Sequence, residues 1–168
     1  LAASLVVLAG MAVTIWWWIG QSYPENIRLQ ANVNEQKEVL LADGSKIILK
    51  ENSILEYPEK FSSKQRKVKL QGEAFFQVEP NPDQPFIIET DRTSVTVLGT
   101  SFSVRDFGSE PTCAVIVRDG KVKFQPKNSS KYLELTEREK AVFDSGKKEL
   151  SKAGIMDLND LVWATKKL

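Results

Sequence analysis

Few residues in this chain could carry out a reaction, and most of them stand beside a glycine. In "VTVLGTSFSV", residues 95–104, the Gly99-Thr100-Ser101 step offers two hydroxyls that a neighbouring base could turn into nucleophiles. The sequence of 168 residues contains no histidine, which excludes Ser-His-Asp and Cys-His catalysis and the usual zinc sites. A lysine or carboxylate could replace the histidine, but no local spacing nominates one. Cys113 is the one cysteine and cannot form an internal disulfide. Beside Ala114 and Val115 it reads as a small buried hydrophobe. A hydrolase would need two carboxylates facing each other in a cleft. Asp43 and Asp119 each precede a glycine and are better used as turn residues. No acidic ladder suited to calcium occurs, and nothing points to a cofactor. The chemistry-bearing residues therefore point away from an enzyme.

The Gly-Thr-Ser step has a better explanation in strand geometry. Val95 and Val97 share one face, whereas Phe102 and Val104 have the opposite parity. A strand has a side-chain period of two, so a change of parity requires one extra residue. A bulge or bend over Leu98–Ser101 is expected, with Gly99 supplying positive φ and close backbone approach. Gly44 and Gly120 belong to Asp-Gly pairs, the signal for a type I′ hairpin with positive φ at both central residues. Gly72 interrupts "KVKLQGEAFFQV" and is taken as a fourth structural glycine.

The elements that would hold these residues are strands. In "KVKLQGEAFFQV" Val68, Leu70, Ala74, Phe76 and Val78 share one face, while Lys67, Lys69, Gln71, Glu73 and Gln77 share the other. Ile47 with Leu49, Val122 with Phe124, and Leu133 with Leu135 repeat the alternation. "EPNPDQPF" reads as a loop before the strand "FIIET". Only the end looks helical, with Leu158, Leu161 and Val162 at i, i+3, i+4 spacing and Asp157 as a cap. "DGSKIILKENS" and "DGKVKFQPKNS" echo each other, through either duplication or recurrent turn chemistry. Many short strands with period-two cores predict an all-β sandwich.

Three surface features invite a partner. Lys64 and Arg66 lie in the basic stretch "KFSSKQRKVKL", which is either a docking patch or a solvated strand face. Phe75 is the one large apolar residue on the polar side of its strand. It is expected to be covered by a loop or the C-terminal segment, the other readings being a partner contact or plain exposure. Tyr57, Phe61, Phe107 and Trp163 could form a sugar-stacking platform, but their scatter favours core positions. Balanced charge, 23 basic against 22 acidic residues, gives no footprint for nucleic acid.

Residues 1–20 form a separate physical object. "LAASLVVLAGMAVTIWWWIG" is uncharged and long enough, as a helix, to cross a hydrocarbon core of roughly 30 Å. Trp16, Trp17 and Trp18 would sit at the membrane interface. A buried core helix or a cleaved signal peptide is the alternative, though the stretch lacks a charged n-region and a convincing cleavage site. Arg28 is the only basic residue from Gln21 to Gln36, which places the downstream β domain outside the cytoplasm. The start at Leu1 suggests that something precedes it. The expected organisation is a membrane helix over 1–20, a linker over 21–36, a β domain over 37–152 and a C-terminal segment over 153–168.

"LADGSKIILKENSILEYPEKF", "RKVKLQGEAFFQVEPNPDQPFIIET" and "VTVLGTSFSV", in that order, resemble the core of the FecR-type transmembrane anti-sigma regulators. The resemblance implies a jelly-roll-like β-sandwich in the periplasm on a single-pass inner-membrane anchor. It further implies two partners. One is an extracytoplasmic-function sigma factor, held by a cytoplasmic segment missing here. The other is the signalling domain of a TonB-dependent outer-membrane transporter. A membrane-anchored ligand- or glycan-binding module is the competing reading.

Overall fold

The computed structural model describes residues 26–153, together with Gly10. Thirteen strands succeed one another: β1 Asn26–Ala31, β2 Lys37–Leu40, β3 Lys46–Leu49, β4 Ser53–Pro58, β5 Arg66–Gln77, β6 Phe86–Glu89 and β7 Thr93–Val97. Then come β8 Ser101–Asp106, β9 Thr112–Asp119, β10 Val122–Pro126, β11 Leu133–Leu135, β12 Lys140–Asp144 and β13 Glu149–Ala153. No helix occurs among residues 26–153, so the all-β class holds there. The proposed membrane helix with Trp16–Trp18 and the C-terminal helix lie outside the described residues.

The strands form two layers that share β5. One layer, sheet A, runs β1-β4-β5-β6-β7-β10-β11. The other, sheet B, runs β2-β3-β5-β8-β9-β12-β13. Every pairing is antiparallel except β5 with β6. β5 serves both layers because it bends at Gly72, which has φ +101°. Residues before the bend pair with β4 and β6, and residues from Gly72 onward pair with β3 and β8. A Cβ at Gly72 would lie 2.7 Å from Ser53 Cβ and 2.9 Å from Ser53 Cα, so only glycine fits the corner.

The expected sandwich is thus one folded-over sheet around one core. Val68, Leu70, Phe86, Ile88, Val95 and Phe124 of sheet A meet Ile47, Leu49, Phe76, Phe102, Val104 and Val115 of sheet B in a single buried cluster. The Phe76 ring bridges the layers, stacked on Phe102 at 5.3 Å and edge-on to Phe86 at 6.4 Å.

The parity change read at residues 95–104 marks the passage between layers. β7 ends at Val97 in sheet A and β8 begins at Ser101 in sheet B, with Val97 and Phe102 both buried. A register shift against β9 falls between Ser101 and Phe102. Gly99 serves through close approach alone: a Cβ there would lie 2.6 Å from Pro80 Cα, and its φ is not positive.

Two expectations need correction. Asp43-Gly44 does close the β2–β3 hairpin, but only Gly44 has positive φ (+86°). The Leu41 amide donates to Ser45 O, making a three-residue loop with glycine in the left-handed position, not a type I′ turn. Asp119-Gly120 makes no hairpin at all, because β9 and β10 belong to different layers. The shared echo is local: Asn52 and Asn128, nine residues beyond Asp43 and Asp119, both take positive φ. The second correction concerns residues 21–36. Within that presumed tether, Asn26–Ala31 is strand β1, paired with β4 at the edge of sheet A, and Ala31 is buried. Its Asn and Gln residues suit an edge strand with one solvated face, which from sequence resembles a linker.

Candidate functional site

Arg66 opens β5 with the same parity as Val68 and Leu70, so its side chain points inward, where it is 1% exposed. Its Nη1 donates to Asp43 Oδ2 at 2.7 Å and to Glu79 O at 2.9 Å, and its Nε donates to Gln84 O at 2.9 Å. The guanidinium also lies 5.4 Å from the Phe86 ring centroid. Asp43 is held by Ser45, whose amide and hydroxyl both donate to it at 3.1 and 2.7 Å. The Glu79 amide donates to the same Ser45 hydroxyl at 3.1 Å. Arg66 therefore clasps the β2–β3 loop of sheet B to the loop that follows β5. Arg66 is therefore buried rather than offered as a surface partner contact, whereas Lys64, two residues earlier, is exposed.

A second arginine clasps the opposite end, beside the Gly72 corner. Arg92 lies in the β6–β7 turn of sheet A, whose ends are tied by the Thr90 and Thr93 hydroxyls at 2.9 Å. Its Nε donates to Oδ1 of Asp106 in sheet B at 2.9 Å, and its Nη2 bonds the same oxygen. Nη2 also donates to Phe107 O at 3.0 Å, and Nη1 to Ser145 Oγ at 3.3 Å. One side chain thus fastens the β8–β9 and β12–β13 turns to sheet A. Burial alone would lower the Arg92 pKa, but Asp106 raises it instead. Cys113 is fully buried nearby, and burial followed by the Asp106 carboxylate pushes its thiol up to about 12. Such a thiol is inert at neutral pH. Among the described residues no group of three or more metal-ligating side chains forms.

The outer faces of the two layers differ. On sheet A the outward positions of β5, Lys67, Lys69 and Gln71, are at least partly exposed. On sheet B one register row crosses all seven strands: Glu38, Ile48, Phe75, Ser103, Ile116, Lys140 and Ala153. Its ends, Glu38 and Ala153, are exposed, yet Ile48, Phe75 and Ser103 at its centre are only 3%, 1% and 4% exposed. Phe75 is covered, and Ile48 and Ile116 pack with it in a cluster separate from the core. The next outward row carries a charged rim. Glu73 Oε2 accepts from Lys50 Nζ at 3.0 Å and Arg105 Nη1 at 2.6 Å. Arg105 continues to Glu110, with its Nε 3.1 Å from Oε2, and lies over Phe107 at 4.8 Å.

The stacking platform does not assemble. Tyr57 and Phe61 pack partly buried against the core, and Phe107 is occupied by Arg105. Trp163 lies outside the described residues. Thr100 donates to Lys121 O at 2.9 Å, at the point where Gly120 crosses over it, so this hydroxyl braces a crossing. Sequence reasoning missed Arg92, Asp106, Glu73 and Arg105. A usable signal existed for two positions: Arg66 and Asp106 both occupy inward parity, and a charge there demands a buried partner.

These features define an all-β domain of two layers sharing one bent strand, clasped at one end by the buried Arg66 and at the other by the partly buried Arg92. The FecR protein family model matches residues 27–123, and the chain belongs to that family. No curated protein matches the chain. Two crystal structures, each of a putative anti-sigma factor from Parabacteroides distasonis, share the fold. The one at 2.50 Å is 31% identical, with a TM-score of 0.79 over 83% of this chain and 65% of that one. The one at 1.65 Å is 32% identical, with a TM-score of 0.77 over 82% of this chain and 64% of that one. The chain thus spans just under two thirds of each.

Proposed function

We propose that this chain is the periplasmic part, with its anchor, of a single-pass inner-membrane anti-sigma regulator. In this reading residues 1–20 hold it in the membrane and a cytoplasmic segment binds an extracytoplasmic-function sigma factor. The β domain receives its signal from the signalling domain of a TonB-dependent outer-membrane transporter. The observation that carries the reading is the FecR match over 27–123, on a fold shared with two putative anti-sigma factors. The uncharged 20-residue opening supports the anchor. An inert thiol and a Thr100 hydroxyl used as a brace support a part that binds and relays.

The test is copurification of the whole protein from salt-washed inner membranes. The sigma factor is expected to remain bound through detergent extraction. Recovery of the chain as a soluble periplasmic protein lacking residues 1–20, with no sigma factor attached, would reject the proposal.

A further inference from the structure

Sheets A and B end on β11 and β13, and the free edges of these two strands face each other across a gap. At one end side chains close it. Lys152 Nζ of β13 donates to Glu134 O of β11 at 3.4 Å and pairs with Glu139 Oε1 at 2.6 Å. The Thr136 amide donates to Glu139 Oε2 at 2.7 Å. These side chains hold backbone groups that a neighbouring strand would otherwise hold. In an antiparallel pair, a residue whose C=O turns outward turns its N–H outward as well. The Glu134 N–H therefore faces the gap, away from its partner Lys123. At the other end the gap widens into a cleft of about 1230 Å³, larger than the roughly 300–1,000 Å³ usual for small-molecule pockets.

The floor of the cleft is apolar, with Leu133, Phe143 and Leu150 packed partly buried against the core. Its rim is basic. Lys127 and Lys131 stand between β10 and β11, and Lys147 and Lys148 stand opposite in the β12–β13 turn, all four exposed. Among the described residues Lys127, Lys131 and Lys148 form no ion pair, and Lys147 reaches Asp144 only at 4.0 Å. Two carboxylates, Asp91 and Glu149, line the cleft against these four ammonium groups, which leaves a local excess of positive charge. None of the four lysines lies on β11 or β13, where it would guard an edge against pairing. They surround the mouth instead.

We propose that this cleft takes an extended acidic segment of a partner protein, which adds to the edge of β11 at Tyr132–Glu134 as a further strand. Strand addition draws affinity from backbone hydrogen bonds and specificity from alternate side chains. With a period of two, the apolar residues of such a segment fall on Leu133, Phe143 and Leu150 while its carboxylates turn outward to the lysines. A small polyanion would leave both the apolar floor and the free edge unused. The charge attraction acts over about 8 Å at physiological ionic strength, so binding should weaken as salt is raised. The proposal goes beyond the anti-sigma reading and requires neither the anchor nor a sigma factor.

The test uses the full chain in uncharged detergent micelles and a fluorescein-labelled nine-residue peptide alternating glutamate and valine, followed by anisotropy. Saturable binding is expected, weakened at least about tenfold by Lys131→Glu with Lys148→Glu, one on each bank, while the melt is unchanged. A peptide with its central Glu-Val replaced by Pro-Pro should bind at least about fivefold more weakly, because it lacks the N–H groups a strand donates. Amide hydrogen exchange at Glu134 should slow at least about tenfold when the peptide is bound. Absence of saturable binding would overturn the proposal, as would equal binding of a lysine–valine peptide or indifference to the two reversals. Binding with unchanged Glu134 exchange would show charge contact without strand addition and overturn it too. Stronger binding of anionic phosphatidylglycerol vesicles than of the peptide would assign the lysines to a lipid surface and reject the peptide site.

Discussion

Replacing Arg66 by Met removes the clasp at one end of the core while keeping most of the side-chain volume. Three hydrogen bonds disappear, to Asp43, Glu79 O and Gln84 O. Asp43 is left with a carboxylate whose side chain is 13% exposed and keeps only its two bonds from Ser45. Removing one member of a buried ion pair costs about 3–5 kcal/mol, because the remaining charge stays desolvated. Ser45 and partial solvent access put this case near the lower end, about 3 kcal/mol. Arg66→Lys should recover part of that loss, since an ammonium keeps the charge but cannot reproduce the guanidinium fork. Arg66→Met with Asp43→Asn should lose at least about 1 kcal/mol less than the sum of the single variants, the signature of direct coupling. Equilibrium urea unfolding followed by circular dichroism measures all four. A loss below about 1 kcal/mol for Arg66→Met, the range of surface substitutions, together with additive single variants, would refute the buried clasp.

Other outcomes rest on the same geometry. Gly72→Ala should cost about 2–3 kcal/mol, from a strained positive φ and the approach of Ser53; a neutral Gly72→Ala melt would deny the corner. Cys113 keeps its proton when folded up to about 12 but loses it near 9 when unfolded. Its contribution is therefore complete below pH 9 and lost as pH rises towards 12, at about 1.4 kcal/mol per unit. Cys113→Ala should flatten that part of the stability–pH curve, and an identical slope would remove the thiol as its source. Lys64→Glu should change stability by no more than about 0.5 kcal/mol and, under the proposed function, leave capture of a transporter signalling domain at low salt intact; a loss of capture would make Lys64 a contact.

Strand content was legible because alternation survives the bend. Val68, Leu70, Ala74, Phe76 and Val78 all face the core, with no change of parity across Gly72. For the same reason the sequence concealed that this strand belongs to two layers. The odd-to-even change after Val97 was readable as a bend, and it marks the crossing to the second layer. Asp43-Gly44 and Asp119-Gly120 are identical dipeptides with different tasks, since pairing with distant strands decides whether a turn closes a hairpin. The clasps were legible only by half. Inward parity at Arg66 and Asp106 required partners, but Asp43 lies 23 residues from Arg66 and Arg92 lies 14 from Asp106. Only tertiary packing brings them together. Phe75 was visible as an anomaly on a polar face, whereas the row it completes appears only once seven strands are aligned.

The role of the domain as a relay is tested most directly by sigma-dependent transcription in cells carrying the complete gene, measured with and without the transporter's ligand. The intact protein should give transcription that changes when the ligand is supplied. Deleting the gene, or substituting Gly72→Ala to loosen the β domain, should abolish that response while the transporter still takes up its ligand. An undiminished ligand response in the deletion strain would contradict the proposed function.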